Sequence, residues 1–143
     1  MLVAAHPEIE ILTLLPADAG TDPEVRLLTA VQAFTQQIIE AELQHRTMLR
    51  LSLEAGATPR DLPLRKGRAI GWFEDALDPL VPELGEAGVH RLAVAVRSVV
   101  GIESLVWLTD VAGLSRDQAS EAMLWSARAM FHHALAEGLY DGG

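Results

Sequence analysis

Residues 86–111 read EAGVHRLAVAVRSVVGIESLVWLTDV, and this run decides the fold. Its apolar residues recur every three or four positions, the period of a helix rather than of a strand. Val89, Leu92, Val96, Val99 and Val106 form one stripe, and Ala95, Ile102, Leu105, Leu108 and Ala112 form a second. A helix that is apolar on two sides needs two burial surfaces. One is its own domain. In a chain of 143 residues the other is expected to be a second copy of the same chain. His90, Arg91, Arg97 and Glu103 interrupt the run, and each charge at mid-bilayer costs about 2.5–3.5 kcal/mol. The run is therefore read as a buried helix with a bend marked by Gly101 in its middle, and no membrane partner is expected.

C-terminal to this run, Gly113 and the capping box Ser115-Arg116-Asp117-Gln118 predict a tight turn and a last helix reaching about Ala136. Ala119, Ala122, Met123, Ser126, Ala127, Met130 and Ala134 give that helix a stripe of mostly small residues, widened by Leu124, Trp125, Phe131 and Leu135. Two neighbouring helices of this kind predict an antiparallel pair. The predicted interface is a four-helix one, with Leu92, Val96, Val99, Ala119, Ala122, Met123, Ser126 and Met130 at the seam of an isologous homodimer.

On the N-terminal side, Pro23 and Glu24 are start signals for a helix with Leu27, Val31, Phe34, Ile38 and Ala41 on one face. The pattern continues to Leu53 after a kink near His45. A further helix is expected from about Pro63 to Leu80, with Ile70, Phe73, Leu77 and Leu80 inward and Pro79, Pro82 and Gly85 marking its end. Arg65, Lys66 and Arg68 at its start and Glu74, Asp75 and Asp78 at its end run against the macrodipole. The basic end is expected to dock against a partner domain or an acidic loop. Residues 1–20, broken by Pro7 and Pro16, read as loop apart from a possible helical turn at Leu2–Ala5. The fold class is all-α, a helical bundle.

Composition narrows the chemistry. A net charge of −9 repels phosphate backbones, so this chain is not expected to touch nucleic acid directly. The absence of cysteine removes disulfides, thiolate nucleophiles and Cys-based metal sites. No nucleophile elbow, phosphate-cradling glycine loop or zinc-protease motif is present, so neither an enzyme nor a cofactor is expected. Glu42 and His45 have the spacing of one half of a di-metal carboxylate site, but that chemistry needs a second such motif, and no metal is expected.

Four runs taken in order carry a resemblance: MLRLSLE at 48–54, GRAIGWFEDAL at 67–77, GIESLVWL at 101–108 and ARAM at 127–130. Their order and spacing, from Asp22 to Gly138, resemble the C-terminal domain of TetR-family transcriptional regulators. The resemblance implies an all-α, TetR C-terminal-domain-like bundle that dimerises through its last two helices and holds a small-molecule effector among the earlier ones. It implies a cytoplasmic protein that reaches DNA only through an N-terminal helix-turn-helix domain. The chain departs from the family in lacking a basic recognition helix ahead of Asp22. Residues 1–21 are accordingly read as a leading segment, the remnant of a connection to a missing DNA-binding domain, and 22–143 as the ligand-binding and dimerisation domain. Under the resemblance, Met48, Leu51, Ile70, Trp72, Phe73, Glu103 and Trp107 are the ligand-binding candidates, for a small and mostly apolar molecule. Taken singly, the apolar ones read as ordinary core, and Glu103 as an ion pair with Arg97, Arg68 or Arg50. The alternative function is a free-standing dimeric protein that binds or sequesters an apolar ligand without DNA. An enzyme using the same cavity is a third.

Overall fold

A computed structural model describes residues 13–54 and 67–142, with side chains as far as Gly138. Among these residues every regular element is helical. The elements are α1 (Pro23–Glu40), α2 (Glu42–Glu54), α3 (Arg68–Ala76), a 3-10 turn (Asp78–Leu80), α4 (Val81–Val99), α5 (Ile102–Val106), a π-helical turn (Trp107–Val111) and α6 (Arg116–Gly142). The expected loop at 13–22 is non-helical, with a turn closed by Ala19 N–H donating to the Pro16 carbonyl. The Leu2–Ala5 turn, the Pro63 start and the charges of Arg65 and Lys66 lie outside the described residues.

Each helix start has a local cause. Asp22 caps α1, its carboxylate accepting from the backbone of Glu24 and Val25, with Pro23 following at the first helical position. Ser115 and Gln118 form the expected capping box: Ser115 Oγ accepts from Gln118 N–H at 3.1 Å, and Gln118 Oε1 accepts from Ser115 N–H at 3.0 Å. The C-terminus of α3 carries no basic residue of its own. Arg26 supplies the charge from α1, donating to the carbonyls of Asp75 and Ala76 and tying them to the Gly20 carbonyl.

The core joins the inner faces of α1, α3, α4 and α6. Leu27, Val31 and Ile38 meet Phe73, Leu77, Val96 and Met123, all sealed from solvent. Phe34 packs edge-on to Trp72 and Phe73 at centroid distances of 5.9 and 5.8 Å. Helices α4 and α6 run antiparallel. Arg91 pairs with Glu137 at 3.3 Å near one end, while Val99 faces Ala122 and Ser126 near the other.

Three element boundaries differ from the sequence reading, and the break at Gly85 before Glu86 agrees with it. The first kink falls at Ala41 (φ −119, ψ 40), four residues before His45. The helix expected to end at Leu80 ends at Ala76 and passes through the 3-10 turn into Val81, with Pro82 in the first turn of α4. Gly85 (φ 75, ψ 166) breaks α4 internally, so its regular part begins at Glu86. The last helix runs past Ala136 to Gly142. Gly138 is tolerated inside it because a Cβ there would stand 2.8 Å from Leu84 Cδ2.

The largest correction is in the 86–111 run, which is not one helix. It stops at Val99, crosses an extended Val100 (φ −131, ψ 115) and Gly101 (φ 156, ψ −174), and restarts as α5. The Arg97 guanidinium occupies the space a side chain at 101 would need, and only glycine leaves it room. By length and composition, Asp78–Val111 also passes as a membrane span, with mean hydropathy 1.6. In the fold it is broken at Val100–Gly101, and its inner side, from Leu92 to Leu105, is core.

Candidate functional site: a groove between α4, α5 and α6

A surface groove of about 350 Å³ opens on the outer side of the antiparallel pair. Ser98 and Val99 from the end of α4, Glu103, Ser104, Trp107 and Leu108 from the α5 segment, and Ala122, Met123 and Ser126 from α6 line it. The mixture is apolar at the base, with hydroxyls and one carboxylate at the rim, the composition expected of a small-molecule site. Trp107 stands over it 58% exposed. Trp125 (69%) and Val111 (68%) are exposed on the same two elements. Val25, Leu43, Leu51, Leu53 and Val94 are exposed on α1, α2 and α4 as well, and scattered surface apolars are ordinary; Trp107 is set apart from these because it lines the groove.

Glu103 is held at this rim by Arg97. The guanidinium donates through Nη1 to Oε1 at 2.8 Å and through Nη2 to Oε2 at 3.2 Å. The same group donates to the Val100 carbonyl and lies 5.6 Å from the centroid of Phe34. Burial pushes the Glu103 carboxyl up, but the hydrogen bonds and charge of Arg97 outweigh it and hold the group below its ordinary value.

A second set of charges closes the far end. Arg46 grips Asp110 with both Nη atoms, at 2.9 and 3.0 Å, and Glu42 through Nε at 2.8 Å. Arg116 reaches the same Glu42 from the start of α6 at 2.9 and 2.5 Å. The result is an alternating chain, Arg116–Glu42–Arg46–Asp110, that joins α2, the π turn and α6. The Arg116 hydrogen bonds, then those of Arg46, keep the Glu42 carboxyl below its ordinary value against burial. The Arg46 hydrogen bonds do the same for Asp110. Glu42 is thereby taken up by two arginines, and His45 Nδ1 lies 3.0 Å from the Ala41 carbonyl.

The structure divides the residues singled out from the sequence. Glu103 and Trp107 line the groove together. Trp72 and Phe73 are interior packing residues, locked edge to face with Phe34. Ile70 packs partly buried beside them, and Met48 is half-buried on α2. Leu51 is 44% exposed and faces away from the core. Of the seam residues, Leu92, Val96, Ala119 and Met123 are enclosed by their own chain. A side chain with no free area has little to offer a second copy. Val99, Ala122, Ser126 and Met130 retain exposed surface.

Sequence reasoning missed Ser98, Ser104 and Leu108 as lining, and it placed Trp125 on the widened apolar surface of the last helix, where the structure leaves it exposed. Trp125 had a signal: it lies three residues from Ala122 and four from Ala129, on one helix face. The Arg46–Asp110 grip had none, since its partners are 64 residues apart.

The described residues form an all-helical bundle, and this groove is one of several chemically mixed hollows on its surface. Comparison with known protein families, curated proteins and solved structures gives no match.

Proposed function

We propose that this chain is the effector-sensing and dimerisation domain of a TetR-type transcriptional regulator, acting in the cytoplasm and meeting DNA only through a separate helix-turn-helix domain. One observation carries the reading. Glu103 and Trp107, read as effector contacts, and Val99, Ala122 and Ser126, read as seam residues, lie on the end of α4, the 102–111 segment and α6 and line one groove. The core beneath is already complete, so the exposed Trp107, Trp125 and Val111 are surplus to folding. Surplus apolar area on an antiparallel helix pair suits a twofold partner. The pocket-sized hollow beside it suits a small, mostly apolar effector. The acidic surface fits a sensor that leaves DNA contact to another domain.

Sedimentation velocity and native mass spectrometry at micromolar concentration test the reading. The expected species is a dimer that Trp125→Asp converts to a monomer with unchanged helical circular dichroism. A wild-type monomer that carries and binds no small molecule would reject the proposal. A dimer that binds an apolar ligand, from a gene with no helix-turn-helix segment, would favour a free-standing binding protein instead.

A further inference from the structure

The groove wall formed by residues 102–111 differs from every other wall of the domain. It comprises one and a half turns of α-helix followed by a π turn. Helices this short do not hold themselves in water, and π turns recur at functional sites. Glycines with positive φ bound it on both sides, Gly101 (156°) and Gly113 (78°). Only Ile102 and Leu105 sink fully into the core. Val106 and Leu108 pack partly buried against that core, and the charged fixed points are the two arginine grips described above, one at each end: Arg97 on Glu103 and Arg46 on Asp110. Each arginine belongs to another helix, so the wall is fastened from outside itself. Trp107 lies midway between the two grips and lines the groove.

We infer that residues 102–111 form a pinned, adjustable wall: the Arg97–Glu103 and Arg46–Asp110 grips set its position, and occupancy of the groove and closure of the grips favour one another. The inference rests on the groove being the binding site proposed above and adds how that site is regulated. An occupant resting on Trp107 needs that side chain held at the groove, and the segment that carries it is anchored inward by Ile102 and Leu105. The closed grips keep the segment in the position that forms the groove. Because coupling between two binding equilibria is reciprocal, tightening the grips strengthens occupancy, and occupancy tightens the grips. Arg97 extends the connection inward, since the guanidinium that holds Glu103 also lies against Phe34 of the aromatic core.

Hydrogen exchange on the full chain is the test, with Nile red, a neutral apolar dye, as the groove probe. In Arg97→Gln and in Arg46→Gln, amides of 102–111 are expected to exchange about tenfold faster or more, while α1 and the inner face of α4 keep their protection. Arg97→Lys and Arg46→Lys keep the charge but lose the two-pronged geometry, and give intermediate rates. They also carry the test if a glutamine variant fails to fold. Nile red is expected to slow exchange of 102–111 in the wild type, to bind several-fold more weakly to the glutamine variants, and to lose most affinity in Trp107→Ala. Acceleration spread over the whole chain, unchanged exchange at 102–111, or local acceleration with unchanged dye affinity each overturns the inference. Sedimentation separates this from the proposed function: a chain that is always monomeric but shows the coupled exchange and dye response rejects the dimer while leaving the wall intact.

Discussion

The domain holds aromatic residues in two settings. Phe34, Trp72 and Phe73 meet inside the bundle, where Phe73 has no exposed area. Trp107 on the π turn and Trp125 on α6 stand outside, 58% and 69% exposed. Sequence reasoning placed Trp72, Phe73 and Trp107 in one set of ligand-binding candidates on the strength of the family resemblance, and read each one singly as ordinary core. The structure gives them opposite physical roles. The interior three are held by edge-to-face contacts and burial, and removing one leaves a void. The exterior two gain little from the folded monomer. Their free energy is still available to a partner or a ligand.

The sharpest way to break this contrast is truncation. Phe73→Ala is expected to cost about 3–5 kcal/mol of stability, the usual range for a fully enclosed aromatic. Trp125→Ala is expected to change monomer stability by less than about 0.5 kcal/mol, while weakening self-association. Urea unfolding reports the first quantity and sedimentation the second. If Trp125→Ala destabilises the isolated monomer as much as Phe73→Ala, the division into interior and exterior aromatics fails.

That division also marks how far the sequence could be read. Helical periodicity identified the all-α class, the α4–α6 pairing and the Ser115–Gln118 box, because each is written within a few residues. Glu103 and Trp107 were found for the same reason, lying together in one short run. Gly101 in mid-run signalled a bend, but that the bend is a full break at Val100–Gly101 was not legible, because the Arg97 guanidinium that fills the space beside Gly101 and reaches Glu103 is placed by the fold. The half-burial of the seam was equally hidden. Met123 and Ala122 are neighbours on one stripe of small residues, yet Met123 is sealed in the core and Ala122 reaches the surface. Which flank of an apolar stripe faces inward depends on the helices packed beside it, and periodicity carries no information about them.

Acid gives a second, smaller contrast between the regions. Glu42, Glu103 and Asp110 all have lowered carboxyl pKa values in the folded chain. Unfolding therefore raises their affinity for protons. Their contribution to stability is complete above the ordinary carboxylate pKa of about 4 and is lost as pH falls through the lowered folded values. Glu103 and Asp110 lie within residues 102–111 and Glu42 is joined to Asp110 through Arg46, whereas the ring contacts of Phe34 with Trp72 and Phe73 lie in the core. Stability measured by urea should fall below about pH 4, and exchange at 102–111 should accelerate before exchange in α1. Arg46→Gln should flatten the acid limb, because Asp110 and Glu42 then lose the hydrogen bonds that depress them. An acid limb identical in wild type and variant would show that these carboxylates do not govern the outer wall.

The smallest expected effect tests whether the interior is as complete as the contrast requires. Thr35 follows Phe34 on α1 and is 5% exposed, yet its hydroxyl has no hydrogen-bond partner among the described residues. A buried hydroxyl without a partner costs free energy, and an apolar side chain of the same shape removes that cost. Thr35→Val is therefore expected to raise stability by up to about 1 kcal/mol, read from the urea midpoint at constant slope. Thr35 borders a crevice between α1 and α6, with Gln32, Gln36, Ser120 and Leu124 around it. A loss of stability in Thr35→Val would mean that the hydroxyl is satisfied through that crevice by water. The interior near Phe34 would then be wet on its α6 side. The simple opposition of a dry, finished core to an unfinished outer face would have to give way to a graded one.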